Sequence, residues 1–361
     1  MKTEHNLYFK NSSDMNEIES NTIDLLITSP PYPMIEMWDE IFFSADNKIK
    51  ENIKNGEGLK AFQLMHKELN NTWRESLRVI KDGCIICINI GDATRKVGNS
   101  FQLYPNHVKI ISFFQNHECL VLPVILWRKP TNSPTKFMGS GMLPPNAYVT
   151  LEHEYILIFR KGKKNRKFKP KSEKRYNSAY FWEERNKWFS DEWSDIIGES
   201  QTLENYENLR ARSAAFPIEI PYRLINMFSV YEDNILDPFW GTGTTTLAAM
   251  ISARNSFGYE TEPEFFKVFQ NNLKKVRKLT DSINKERIAT HLKFIKNYAK
   301  NKAIKYNSIN YNFPVITSQE KDILLYSIKN VKKFDNIYNL EHEKFLYRGK
   351  NSEKVQSSLI N

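Results

Sequence analysis

Hydrophobic residues in this chain fall into short apolar runs and helical stripes that alternate from about residue 21 to residue 260. Asn21–Ser29 (NTIDLLITS) is a compact run rich in β-branched residues and stopped by Pro30-Pro31, the pattern of a buried strand feeding a loop. The polar stretch Asp39–Gly58 reads as a mobile loop. Phe62, Met65, Leu69, Trp73, Leu77 and Ile80 then recur every three or four residues, which predicts an amphipathic helix ended by Asp82-Gly83. Cys84–Ile90 (CIICINI) predicts the next buried strand. Alternation within it sends Cys84 and Cys87 to opposite faces, so core packing is expected there rather than a redox or metal pair. A helix around His107–Asn116, a strand around Leu120–Trp127, a Pro/Gly/Asn-rich loop over Lys129–Asn146 and a strand at Glu154–Arg160 continue the alternation. After a basic, aromatic segment comes a helix with Pro217 and Pro221 in its first turns, a strand Asn234–Asp237, a Gly/Thr loop, a helix from Thr244 and a strand Phe257–Glu260. Thr317 and Glu320 have capping-box spacing and predict a helix over Ser318–Val331, and the C-terminal region as a whole reads as helical. The βαβ alternation implies an α/β fold with a mostly parallel, doubly wound sheet.

Composition adds a partner. The 361 residues suffice for one large α/β domain or two modest ones, and 52 Lys/Arg against 42 Asp/Glu leave a net charge of +10, which points to a polyanion. Nine of the basic residues lie in Lys161–Arg175 against the single acid Glu173, and eleven more lie in 270–305 against Asp281 and Glu286. A solvated face would explain either run alone. Aromatics in and after the first run (Phe168, Tyr176, Tyr180, Trp182, Trp188, Trp193) point instead to a folded nucleic-acid surface. Three cysteines make no disulfide framework, the N-terminus is polar, and no apolar run approaches the roughly 18 residues of a membrane span. A reduced, cytoplasmic protein without signal peptide or anchor is expected. The seven histidines have no metal-ligand spacing, and no metal is expected.

Two stretches carry chemistry. Asp237–Thr246 (DPFWGTGTTT) places Gly241 and Gly243 between a strand end and a helix start, where a backbone without Cβ lets a ligand come close. A phosphate loop would need Lys where Thr244 stands, and a dinucleotide fingerprint would need a third glycine where Thr246 stands. Glu260, at the end of the following strand, can accept hydrogen bonds from both hydroxyls of a ribose. An adenosine-containing cofactor without a pyrophosphate fits; a tight structural turn with a chance acid is the alternative. The second stretch is Thr28–Tyr32 (TSPPY), which also closes a buried strand. If the two strands are neighbours, Ser29–Tyr32 faces the cofactor loop. Two prolines stiffen the turn and orient the Pro30 carbonyl, and Tyr32 supplies a flat platform. Such a set suits an exocyclic aromatic amine, with the Ser29 hydroxyl and a carbonyl accepting its two N–H bonds while Tyr32 stacks on the ring.

TSPPY followed much later by DPFWGTGTTTLAA resembles the β-class amino-methyltransferases of DNA restriction-modification systems. GCIICINIGD, EHEYILIFRKG and RSAAFPIEIPYRLI agree with the same family, over about residues 20–270. The resemblance implies a class I methyltransferase fold, Rossmann-like and circularly permuted, with the catalytic motif before the cofactor motif. It implies S-adenosyl-L-methionine as cofactor, contacted by Thr28, Phe216, Pro217, Asp237, Pro238, Phe239, Gly241, Gly243, Thr244 and Glu260. It makes Ser29, Pro30, Pro31 and Tyr32 the catalytic set. The implied reaction is direct methyl transfer to the amine of a base flipped from double-stranded DNA, with functional pairing to a restriction endonuclease that needs no stable complex. No cysteine precedes a proline or sits by a Gly-rich turn, which argues against the loop nucleophile of carbon-5 cytosine enzymes. Serine at the head of the catalytic motif is typical of the cytosine-N4 members; adenine N6 is the alternative. An RNA methyltransferase is a weaker reading, and a DNA-coating protein would explain the charge but not the motifs. Family order divides the chain into a catalytic half (1–160), a target-recognition region (161–208) in which Lys163, Lys164 and Lys167 would contact DNA phosphates, a cofactor half (209–270) and a basic, mainly helical extension (271–361). Asp39–Gly58 and the region from Asn271 are rival readers of DNA sequence. One departure from the family pattern is Lys10-Asn11-Ser12, where many relatives carry Gly-Asp.

Overall fold

The computed structural model describes residues 1–129, 138–197 and 216–347. Its strands are β1 (Lys2–Tyr8), β2 (Ile23–Thr28), β3 (Ile80–Ile90), the hairpin β4 (Ala93–Val97) and β5 (Ser100–Tyr104), β6 (Cys119–Val121), β7 (Ile125–Arg128), β8 (His153–Lys161), β9 (Glu192–Trp193), β10 (Asn234–Asp237), β11 (Asn255–Tyr259), β12 (Tyr306–Asn307), β13 (Pro314–Val315), β14 (Tyr326–Phe334) and β15 (Ile337–Lys344). The helices are α1 (Asp39–Ala45), α2 (Asn47–Lys54), α3 (Gly58–Val79), α4 (Asn106–Gln115), α5 (Glu173–Asn177), α6 (Trp182–Trp188), α7 (Glu219–Phe228), α8 (Thr244–Ile251), α9 (Phe265–Leu273) and α10 (Val276–Tyr298). None of the described helices is long and apolar enough to cross a membrane.

One sheet of eleven strands organises the molecule, in the order β14-β15-β1-β11-β10-β2-β3-β8-β7-β9 with β6 also on β8. Its centre, β1-β11-β10-β2-β3, is parallel. β15 and β8 flank that centre in antiparallel fashion, so the sheet is mixed rather than mostly parallel. Apolar alternation sets the two faces. Leu26 of β2, Cys84, Ile86 and Ile88 of β3, and Leu157 and Phe159 of β8 pack with Phe62, Met65, Leu69 and Trp73 of α3. Leu25 and Ile27, Cys87, and Ile156 and Ile158 pack on the other side with Leu224 and Ile225 of α7 and Leu247–Ile251 of α8. Cys84 and Cys87 therefore lie on opposite faces, as alternation predicts. The crossover from β2 through α3 leads to β3 in one direction, and the crossover from β10 through α8 leads to β11 in the other. Adjacent β2 and β10 thus form the topological switch point, where open α/β sheets collect their ligands.

Several elements differ from the sequence expectation. Asp39–Gly58 is not a loop but two short helices, α1 and α2, the second capped by the Asp46 carboxylate accepting from Lys48 N–H at 2.9 Å. Helix α3 ends at Val79, and Asp82-Gly83 lies inside β3. The extension carries the long helix α10, but the Thr317/Glu320 capping box opens only a 3₁₀ turn, Ser318–Glu320. The residues beyond it form the antiparallel pair β14–β15, whose second strand adds to β1. The turn between them is Asp335-Asn336, with Asp335 at φ 52°, a two-residue hairpin signal that outweighs helical spacing. Of the aromatics after residue 175, Phe181, Trp188 and Trp193 build core, whereas Trp182 and Phe189 stay exposed. Trp188 is buried against Tyr222, Trp193 donates its indole N–H to the Trp188 carbonyl in the same cluster, and Phe181 joins Ile288, Phe313 and Leu325 in a small separate cluster.

Candidate active site

At the carboxyl ends of β2 and β10 the two motifs close on each other. The Thr28 hydroxyl donates to Asp237 Oδ1 at 2.7 Å across the strand pair, and Phe239 N–H donates to the same oxygen at 3.1 Å. Burial raises the Asp237 carboxyl to about 6, against the pull of those hydrogen bonds. The following turn wraps Glu260: Gly241 N–H donates to Oε2 at 2.7 Å, while Thr261 and Glu262 N–H donate to Oε1 at 2.8 and 2.9 Å. Burial again raises this carboxyl. A cavity of about 180 Å3 opens over the turn, lined by Ser29–Tyr32, Phe216, Asp237–Thr242, Thr244 and Glu260.

The two glycines of the turn have different jobs. Gly241, at φ +53°, would direct a Cβ into open space, its nearest neighbour being the Phe239 carbonyl at 4.0 Å. Gly243, at φ +77°, would drive a Cβ to 2.5 Å from Phe269 and 2.6 Å from Trp240. Gly241 is therefore the close-approach residue, and Gly243 is bare because two rings occupy its side-chain space. Gly243 is not part of the cavity wall. Thr28 is also set back from the cavity: it is fully buried and acts through Asp237. Phe216 lines the cavity, and Pro217 is buried beside it, just ahead of α7.

Tyr32 anchors the amine-holding turn. Its hydroxyl donates to Glu154 Oε2 at 2.9 Å, lies 3.1 Å from Ser29 Oγ and accepts from the Asn89 amide at 2.9 Å. Asn89 also donates to Glu154 Oε2 at 2.6 Å, and the Lys129 ammonium donates to Oε1 at 2.9 Å. Burial first, and then the Glu154 charge, push the Tyr32 phenol well above its ordinary range, so it stays a neutral donor. A Cβ at Gly91 would press to 3.0 Å against the Tyr32 ring, so this glycine leaves room for the platform. The Pro30 carbonyl accepts no backbone hydrogen bond among the described residues.

Glu154, Asn89 and Lys129 have no place in the sequence argument. The available signal was an acid opening an otherwise apolar strand, but only the antiparallel placement of β8 brings its first residues to the carboxyl end of β3. Lys10, Asn11 and Ser12, the departure from the family pattern, also line the cavity, with the Lys10 ammonium held by Glu17 at 2.9 Å. So do Trp38 and Ile41, the first just before and the second inside the region expected to be a loop. The three cysteines are buried away from the cavity, with the Cys84 and Cys119 thiols pushed up to about 11 by burial. Lys163, Lys164 and Lys167 are not brought to the site. Because β8 runs antiparallel to β3, they follow its far end, beside the first residues of β2, β3 and β10. Among the described residues no cluster of His, Cys, Asp or Glu could hold a metal ion.

The parallel centre, the switch-point cavity and the order of the two motifs define a class I methyltransferase fold in the permuted, catalytic-motif-first arrangement. A family model described as "DNA methylase" matches residues 23–271. The type II methyltransferase M.MthZI of Methanothermobacter thermautotrophicus is 53% identical over 364 residues, with all of both chains covered. M.MjaI of Methanocaldococcus jannaschii is 49% identical over 282 residues, 75% of this chain and 91% of that one. Among solved structures, TTHA0409 of Thermus thermophilus complexed with S-adenosyl-L-methionine shares 26% identity at a TM-score of 0.58, covering 75% of this chain and 94% of that one. The chain belongs to the DNA methylase family, as a β-class, S-adenosyl-L-methionine-dependent DNA methyltransferase of restriction-modification type. The cavity fits that cofactor: Gly241 keeps open the space a side chain would fill, and a carboxylate fixed by three backbone N–H groups stands beside it.

Proposed function

We propose that this type II DNA methyltransferase modifies the exocyclic N4 amine of cytosine at specific sites in double-stranded DNA, in the cytoplasm, and so protects them from a cognate restriction endonuclease. The observation that carries the reading is the Ser29 hydroxyl at 3.1 Å from a Tyr32 hydroxyl already committed to Glu154 and Asn89. Serine heads this motif where an acid heads the other common version, and a hydroxyl can accept from an amine and still donate elsewhere.

Bound S-adenosyl-L-methionine supplies an electrophilic methyl group. Glu260, its carboxylate already oriented by three N–H groups, keeps free lone pairs for the ribose hydroxyls. Asp237, Pro238, Phe239, Gly241 and Thr244 form the floor beside it, and Phe216 closes one side. An aromatic amine is a poor nucleophile because its lone pair is delocalised into the ring. The Ser29 hydroxyl and the Pro30 carbonyl accept its two N–H bonds, hold them out of the ring plane and relieve that delocalisation. Pro31 stiffens the turn, and the Tyr32 ring carries the flipped base. Positioning then supplies several kcal/mol of the barrier without a covalent enzyme adduct.

Nucleoside mass spectrometry of DNA from cells expressing the chain tests this. N4-methylcytosine is expected, and Ser29→Ala should abolish it. N6-methyladenine in its place would overturn the choice of base, and neither product would overturn the activity.

A further inference from the structure

The most basic stretch of the chain stands away from the chemistry. Strand β8 runs from His153, with Glu154 beside Tyr32, to Lys161, and the eight steps between its nine residues, at about 3.3 Å each, put about 26 Å between the two ends. The segment that follows is pinned to the amino end of the sheet. A Cβ at Gly83 would meet the Lys164 carbonyl and the Arg166 N–H at 2.8 Å, and the Arg166 guanidinium pairs with Asp233 at 2.5 Å and Asp24 at 3.4 Å. A cavity of about 660 Å3 opens there, with Arg160, Arg166, Arg175 and Arg185 in its walls.

Neutralisation of this face is incomplete. Lys161 pairs with Asp82 and Lys174 with Glu232, but Lys163, Lys164, Lys167, Arg175 and Arg185 have no carboxylate partner among the described residues, and all five are exposed. Trp182 lies exposed in the cavity wall, while Phe168 and Tyr180 are already used. Phe168 carries the guanidinium of Arg166 at 4.7 Å and that of Arg175 at 5.0 Å, and Tyr180 packs on Phe189 and Trp188 at 5.5 and 5.9 Å. One exposed ring stands among many N–H donors and ammonium groups, so the chemistry of the face is chiefly that of phosphodiester oxygens. A duplex giving a base to the Tyr32 pocket crosses the carboxyl end of the sheet, a strand's length from these cations.

We infer that this face holds a second segment of duplex DNA through its phosphates, without reading sequence, while the target duplex occupies the pocket end. The inference rests on the DNA methyltransferase reading and adds to it a tether that keeps the enzyme on long DNA between target sites. Two short duplexes, each carrying one dye of a transfer pair, test it: one contains a site the enzyme methylates, the other contains none. The wild-type protein should bring the dyes together in a salt-sensitive way. Replacing Lys163, Lys164, Lys167, Arg175 and Arg185 by serine should abolish that signal and leave methylation of the short target duplex within twofold. The salt slope for the second duplex should fall by up to about 0.9 for each phosphate that is no longer neutralised. Replacing the three lysines by arginine should preserve both readouts. Energy transfer absent from the wild type, or retained by the serine variant, would overturn the inference. So would loss of methylation together with energy transfer, since the face would then belong to the target duplex's own path. Absence of methylation by every protein, wild type included, would instead count against the activity itself.

Discussion

Gly241 and Gly243 stand two residues apart in one turn, and substitution separates their roles. Gly241→Val fills the space above the turn at a left-handed backbone position, so the protein is expected to lose about 1–3 kcal/mol of stability, stay folded and lose measurable affinity for S-adenosyl-L-methionine in calorimetry. Gly243→Ala meets the Phe269 and Trp240 rings, so urea unfolding should show a loss of about 2–4 kcal/mol from overpacking and backbone strain. Asp237 gives a pH signature. Its carboxyl is raised from 3.8 to about 6 by burial, so the stability it contributes is complete below pH 3.8 and lost as pH rises through 6, at most about 3 kcal/mol. Asp237→Asn keeps an acceptor for Thr28 and Phe239 but does not titrate. The wild type should therefore weaken relative to this variant between pH 4 and 7 in denaturation experiments on the cofactor-free protein. Glu154 acts through Tyr32, and Glu154→Gln keeps the shape while replacing an acceptor-only carboxylate by an amide. A fall in kcat of about five- to 150-fold is expected, matching the 1–3 kcal/mol of a disturbed buried hydrogen bond, with cofactor affinity unchanged. An unchanged kcat would remove Glu154 from the positioning of Tyr32.

Elements that bury apolar side chains are legible in the sequence, and elements that bury polar ones are not. The runs forming β2, β3, β8 and β10, and the stripe of α3, are where the pattern puts them, because burial on both faces fills the strand centres with Ile and Leu, joined by Cys and Phe. β1, by contrast, sits in the middle of the sheet while reading KTEHNLY. Its polar residues satisfy one another: Thr3 lies 3.1 Å from His5 and 2.8 Å from His342, and His5 lies 2.8 Å from Ser256. Burial holds both histidines neutral, His5 at about 3 and His342 at about 4. No hydrophobic pattern can reveal a strand whose buried face is a hydrogen-bond network with partners in β11 and β15. The same logic divides the site. The two motif turns could be found from local residues, while Glu154, Asn89 and Lys129 meet Tyr32 only once β8 is laid antiparallel on β3. Strand β15 covers β1, and Leu340→Ala, which removes a buried side chain from that edge, should cost about 2–5 kcal/mol in urea unfolding.

Across the whole molecule, chemistry and charge are segregated along the strand direction. The pocket, the end of β7 and the start of β8 lie at one end, and the densest run of lysine and arginine lies at the other. Net charge therefore predicts a nucleic-acid partner without locating where the base is held, since composition carries no information about which end of the sheet a segment reaches. The single hydrogen bond from Thr28 to Asp237 joins residues 209 apart in sequence, one on each side of the switch point. It also implies thermodynamic cooperation between the two ligands. Whatever fixes Asp237 fixes the turn that holds the amine, so the factor by which cofactor tightens DNA must equal the factor by which DNA tightens cofactor. Thr28→Val, which removes the hydroxyl and keeps the shape, should bring that shared factor toward one, with each ligand alone binding nearly as before; a titration of either ligand in the presence and absence of the other measures it.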